Sequence, residues 1–287
     1  MQRGINLNNI IKGIICFITV IVLSVVVSGE SQAVGNYYYN GLHSPNDSNA
    51  LKKAKQINNK DVTIQRYNYA NKTKYKAVGR IRNNDGWKGY GKDSMGTGFV
   101  IDDYTVLTNA HVIDRSNGHS ASPKDIVFHM NRDGRKIPYT FHASKIIKVP
   151  SSDIAIIHTK EKMSKYTQPL NLASESQIKN LKFKDNLYSL GYPWQFNGTR
   201  DDNTLAYRNK LKFLQFSSNK TEIQTKDKFR SGASGSPMIN GNYQVYGLRT
   251  YGYNLRGSST DSYAKQEVAG GEALIGYARN YVLSHAK

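Results

Sequence analysis

From about Tyr67 onward the chain is a succession of short apolar runs separated by turn residues, and this rhythm narrows the choice of fold. Runs of about four to six apolar residues bounded by Gly, Asn or Asp are too short for core helices and suit strands. Gly98 to Ile101, the turn Asp102-Asp103 and Thr105 to Thr108 read as a hairpin. Further strands are predicted over Asp125 to Met130, Lys145 to Val149, Ile154 to His158, Leu187 to Leu190 and Gln244 to Thr250. Many short strands joined through Gly and Asn favour an all-β barrel or sandwich. The polar stretch Lys160 to Ser176 separates two halves, 66–160 and 161–271. Only the end departs from the rhythm: Leu274, Ile275, Ala278, Tyr281 and Val282 recur at helical spacing, which predicts a terminal helix over 272–287.

The first 33 residues have the layout of a secretory signal peptide. Arg3 and Lys12 precede an apolar stretch from Gly13 to Val27, and Ser31-Gln32-Ala33 forms a small-residue cleavage site. An uncleaved anchor is the weaker alternative, because Gly29 and Glu30 end the stretch where a signal peptidase would cut. The expected location is therefore extracellular, with membrane contact only through this leader before its removal. The single cysteine, Cys16, falls inside the leader, so the exported chain has to hold its core together without disulfides. Residues 34–65, with Tyr37-Tyr38-Tyr39 and the loop formers Ser44 to Asp47, read as a propeptide or flexible lead.

The whole chain holds 40 Lys and Arg against 21 Asp and Glu. Removing the leader takes away two of the former and one of the latter, leaving 38 against 20 and a surplus of 18. Such a surplus favours weak binding to anionic cell-surface polymers. No nucleic-acid recognition motif accompanies it, so charge alone does not make a specific nucleic-acid binder.

Three polar residues stand in settings that chemistry would require. Gly232-Ala233-Ser234-Gly235-Ser236-Pro237 places a serine in a tight turn between glycines. The glycine two positions before the serine lets the Gly232 and Ser234 amides point into one space, as oxyanion stabilisation in acyl transfer demands. Thr108-Asn109-Ala110-His111 supplies a base just past a strand, and Asp153 heads the apolar run Ile154 to Ile157, where a carboxylate has no packing role. The chain order His, Asp, Ser differs from that of subtilisin and of the α/β-hydrolases. The other histidines, His43, His119, His129, His142, His158 and His285, lack a comparable setting.

The strings TGFVIDDYTVLTNAHVID (97–114), SSDIAIIH (151–158), LGYP (190–193), GASGSP (232–237) and VYGLRTYG (245–252) resemble the glutamyl endopeptidase and exfoliative-toxin family of Gram-positive bacteria. The resemblance runs from about Ala77 to the C-terminus. It implies a chymotrypsin-like double β-barrel of two six-stranded barrels with a C-terminal α-helix, secreted with a propeptide and using neither metal nor cofactor. It also implies a serine endopeptidase with His111, Asp153 and Ser234 as triad and Gly232 and Ser234 as oxyanion hole. A protein or peptide substrate would then lie along Arg249, Thr250, Tyr251 and Gly252 as an added strand.

Members that cut after glutamate usually carry a threonine five residues before the nucleophile and a histidine fifteen after it. Phe229 and Arg249 occupy those positions here. Arg249 is a permanent cation whose planar fork suits a carboxylate, and Lys228 would add to its field, so an acidic residue before the scissile bond is expected. Phe229 works against this by filling part of the pocket. Two alternatives follow: a toxin-like protease restricted to one host surface protein, and a basic polymer-binding homologue with little protease activity.

Overall fold

The computed structural model describes residues 47–68, 70–196, 201–253 and 267–287. The signal-peptide reading over residues 1–33 lies outside the described residues, as does the lead up to residue 46. Among the described residues no helix is long and apolar enough to cross a membrane.

The described chain starts with helix α1 (Asp47–Ala54) and strand β1 (Thr63–Arg66). Both belong to the second half of the molecule. Ala50, Ala54 and Ile57 pack against Leu214, Tyr253 and Val268, and β1 pairs antiparallel with a later strand, Thr63 opposite Lys210. Within the segment read as a propeptide or flexible lead, α1 and β1 thus pack against the second half of the molecule. The buried Lys226 completes the attachment, its Nζ donating to Ala54 O at 3.0 Å and Ile57 O at 2.9 Å. Those carbonyls lie at and just past the end of α1, where the helix itself offers no donors.

The first barrel consists of β2 (Val78–Asn83), β3 (Ser94–Val100), β4 (Thr105–Thr108), β5 (Ile126–Met130), β6 (Tyr139–Lys148) and β7 (Ala155–Thr159), closed in the order β2-β3-β4-β7-β6-β5. The predicted hairpin is β3–β4, with Phe99 opposite Leu107. Strands β4 and β7 are buried throughout, and Val106 opposite Ile157 and Leu107 opposite Ile156 form the centre of the wall. In the longer β6, Phe141 and Ala143 face inward while Thr140, His142 and Ser144 face solvent, the period-two alternation of a half-buried strand. A one-turn helix, α2 (Ala110–Ile113), leaves the end of β4.

A connection holding α3 (Glu175–Lys179), capped reciprocally by Ser174 and Gln177, leads to the second barrel. Its strands are β8 (Asn186–Gly191), β11 (Tyr207–Phe216), β12 (Glu222–Lys226), β13 (Pro237–Ile239), β14 (Val245–Tyr253) and β15 (Val268–Ala273); the short pair β9 (Gln195–Phe196) and β10 (Asp201–Asp202) lies outside it. The order β11-β12-β15-β14-β13-β8 closes through β8–β11, and β1 adds to β11. The structure is thus all-β, two closed six-stranded barrels followed by helix α4 (Gly276–His285). The helix starts later than its spacing predicts because Glu272 and Ala273 are still in β15. It folds back on the first barrel, where His158 Nε2 hydrogen-bonds His285 O at 2.7 Å and Lys287 N donates to Thr105 Oγ1 at 2.8 Å.

Candidate active site

Hydrogen bonds from Asn109 to Thr250 and from Thr97 to Gly232 and Ser234 join the two barrels around His111, Asp153 and Ser234. His111 sits in α2 immediately beyond β4, and Asp153 follows the turn Ser151-Ser152 that leads to β7. Its carboxylate is fully buried and spans the histidine. Oδ2 lies 2.6 Å from the imidazole Nδ1, and Oδ1 accepts the His111 backbone N–H at 2.9 Å. An anionic Asp153 places the ring proton on Nδ1 and leaves Nε2 as the basic nitrogen. Burial pulls the imidazole pKa down, but the charge of Asp153 and its hydrogen bond, with a contribution from Asp114, outweigh it and hold the value above the ordinary 6.5.

Asn109 ties this pair to the other barrel. Its Nδ2 donates to Asp153 O at 2.7 Å and to Thr250 Oγ1 at 2.9 Å. Thr250 in turn receives the Ser234 hydroxyl on its carbonyl oxygen at 3.1 Å. His111, Asp153 and Ser234 are therefore linked through Asn109 and Thr250. Transfer of the Ser234 proton to the imidazole requires the hydroxyl to turn away from that carbonyl.

The serine loop is held by the first barrel as well as its own. Thr97 N donates to Ser234 O at 2.8 Å, and Thr97 Oγ1 donates to Gly232 O at 2.8 Å. Gly232 has φ +90°, and a Cβ there would lie 2.6 Å from Tyr192 O, so both conformation and space require glycine. Gly235, at φ +83°, would drive a Cβ into Thr97 O and Thr108 Oγ1. Among the described residues neither the Gly232 nor the Ser234 amide donates a backbone hydrogen bond. The Gly232 and Ser234 amides thus carry no backbone acceptor among the described residues, the condition for donating to a bound oxyanion.

Arg249, Phe229, Lys228 and Tyr251, expected along the substrate, each make contacts within the fold. Arg249 is 1% exposed and is paired with the fully buried Asp227, Nε to Oδ2 at 2.8 Å and Nη2 to Oδ2 at 2.5 Å. Asp227 Oδ1 also accepts from Asn209 Nδ2 at 3.0 Å. The Arg249 guanidinium lies 5.2 Å from the Phe229 ring centroid. Phe229 is buried with Ala233 and Ala269, and a Cβ placed on Gly252 would come within 2.8 Å of it, so the ring stands against β14 at Gly252. Lys228 lines a cavity of about 330 Å³ bounded by Asn59, Val62, Ile64, Lys226 and Arg230, facing the N-terminal segment. Tyr251 crosses over Gly270 to donate to Glu222 Oε2 at 2.8 Å.

Strand β13 pairs with β14 only as far as Leu248, so the Thr250 to Gly252 edge lies beyond strand pairing on that side. Sequence reasoning missed Asp227, Asn109, Thr97 and Glu272. Only Glu272 carried a visible signal, a lone acid inside the small and apolar run Val268 to Ile275. Among the described residues no group of His, Cys, Asp and Glu is placed to hold a metal ion.

Two solved structures share this architecture. The protease Anisep from Arthrobacter nicotinovorans aligns with a TM-score of 0.57 at 15% identity, over 74% of this chain and 95% of that one. A Glu endopeptidase in complex with MPD aligns with a TM-score of 0.61 at 15% identity, over 77% and 95%. At such identity the likeness is one of fold. Residues 96–248 match the trypsin-like peptidase domain, which contains the buried Asp153 with its histidine and the glycine-flanked serine, and the chain belongs to that family of serine proteases.

Proposed function

We propose that the chain is a secreted serine endopeptidase with a narrow specificity pocket, in the branch that includes glutamyl endopeptidases and exfoliative toxins. The observation that carries the reading is the buried Asp153 carboxylate, which holds both the imidazole and the backbone N–H of His111. Ser234 Oγ attacks the peptide carbonyl as its proton passes to His111 Nε2. The Gly232 and Ser234 amides receive the oxyanion, and Asp153 stabilises the imidazolium. His111 then gives the proton to the leaving amine, and water repeats the sequence on the acyl-enzyme. Substrate extends along Thr250 to Gly252 by strand addition.

The pocket favours restricted cleavage over a general acidic preference. The charge of Arg249 is already met by Asp227, and the Phe229 ring stands where a bulky side chain would enter. Export rests on the leader-like first 33 residues. The test is digestion of a peptide library by the wild-type chain and by Ser234→Ala. Cleavage confined to peptides with small residues before the scissile bond, and absent from the variant, supports the reading. Identical digests from the two proteins refute it.

Polymer binding is a second reading, supported by one groove. Lys72, Lys74 and Lys76 line a depression of about 570 Å³ with Tyr166, Gln168 and Tyr243, and no carboxylate among the described residues lines it. An anionic polymer finds there three cations beside an exposed aromatic ring.

A further inference from the structure

We infer that Glu272, on β15 of the second barrel, positions the Asp153–His111 pair of the first. The inference rests on the triad reading above. Glu272 is 1% exposed. Its Oε1 accepts the backbone N–H of Asp153 at 3.1 Å, and its Oε2 accepts the Ser152 hydroxyl at 2.9 Å. Ser152 and Asp153 are themselves 3% and 0% exposed, so the contact is shielded from water. Both oxygens of Glu272 act as acceptors, one toward a backbone N–H and one toward a hydroxyl.

A buried carboxylate in a barrel wall contributes nothing to packing and is costly without partners. Here two of its partners are the residues that deliver the triad acid. The residue before them, Ser151, has φ +56°, an uncommon conformation for a side chain other than glycine, and Glu272 grips the chain immediately after it. The Asp153 backbone is then fixed at both ends: its N–H by Glu272, its carbonyl by Asn109 Nδ2 at 2.7 Å and Ala110 N at 3.3 Å. Only side-chain torsions remain, and the two bonds to His111 take those up. Glu272 lies behind the aspartate and acts through it, so it is a positioning residue. Because it belongs to the barrel that carries Ser234, it also keeps base and nucleophile in one frame.

The test compares wild type with Glu272→Gln, which keeps shape and one acceptor but turns an NH2 toward a donor. Three quantities are measured: the kcat and KM split on a cleaved peptide, the rate at which a fluorophosphonate probe labels Ser234, and the downfield proton signal of His111 Nδ1–H. A fall of about 10- to 100-fold in kcat and labelling rate is expected from misplacement of the acid, with KM within about twofold and the Nδ1–H signal shifted or lost. Ser152→Ala, which keeps the grip on Asp153 N–H, should give a smaller fall. The Glu272→Gln/Ser152→Ala double variant should fall no further than Glu272→Gln, because both act through one contact. Unchanged rates and an unmoved Nδ1–H signal in Glu272→Gln overturn the inference, as does a change in KM alone. Should Glu272→Gln fail to fold, Ser152→Ala decides by the same three readouts, and no change in any of them overturns it. A wild-type protein that neither cleaves nor labels refutes the triad reading instead, so the two failures are distinguishable.

Discussion

Replacing Arg249 separates a structural cation from a substrate-reading one. In Arg249→Met the side chain keeps its length and loses its charge. Asp227, which is 0% exposed, is then left with Asn209 as its remaining side-chain partner. Removing one member of a buried ion pair strands the other charge and costs about 3–5 kcal/mol. For a domain of this size each kcal/mol lowers the melting temperature by roughly 2–4 °C, so the variant should melt about 6–20 °C below wild type. Urea unfolding followed by circular dichroism should show the midpoint falling at constant slope, which marks a change in stability rather than in compactness. Replacing both charges, as in Arg249→Met/Asp227→Leu, should restore most of the loss, since apolar replacement of a whole buried pair is close to neutral. An Arg249→Met protein that melts with wild type but no longer cuts after acidic residues would refute this assignment and return Arg249 to the substrate.

Four further outcomes follow from the structure. Phe229→Gly should vacate the space in front of Gly252 and raise kcat/KM at least about tenfold on peptides with a large residue before the scissile bond; an unchanged cleavage profile would show that the ring does not limit entry. His111 must be neutral to act as base, and its pKa is held above 6.5, so labelling of Ser234 should fall as pH drops through a value above 6.5. Asp153→Asn removes the raising charge and leaves burial, so the limb should move downward while the rate falls about 10⁴-fold; an unmoved limb would contradict the pairing. A triple Lys72→Ala, Lys74→Ala, Lys76→Ala variant should elute from a sulfated-glycan column at markedly lower salt than wild type while its peptidase rate stays constant, and coincident elution would remove the groove from consideration.

His111, Asp153 and Ser234 stood out in sequence because each sits in a particular local setting, and such settings are written in neighbouring letters. The strands that could be foreseen, β3, β4, β5, the second half of β6, β7, β8 and β14, carry apolar runs. Strand β12 was hidden because its Glu222, Gln224, Thr225 and Lys226 are polar yet buried, with Tyr251 donating to Glu222 and Lys226 donating to Ala54 and Ile57 from far along the chain. Strand β15 was hidden by Gly270 and Gly271, which make room for Tyr251 and for the backbone of Leu248. The N-terminal segment read as a loose lead because α1 has few apolar residues; its anchor is Lys226, about 170 positions away. Likewise Arg249 looked like a free cation only while Asp227, 22 positions earlier, was not known to face it.

Under the proposed function Ser234 is a nucleophile activated by His111 and Asp153. Incubation with a fluorophosphonate followed by intact mass and peptide mapping tests this most directly. The expected result is one adduct per chain, carried on Ser234, with labelling abolished in Ser234→Ala and strongly slowed in His111→Ala. A protein that stays unlabelled while fully folded, or that is modified at the same rate without His111, would contradict it.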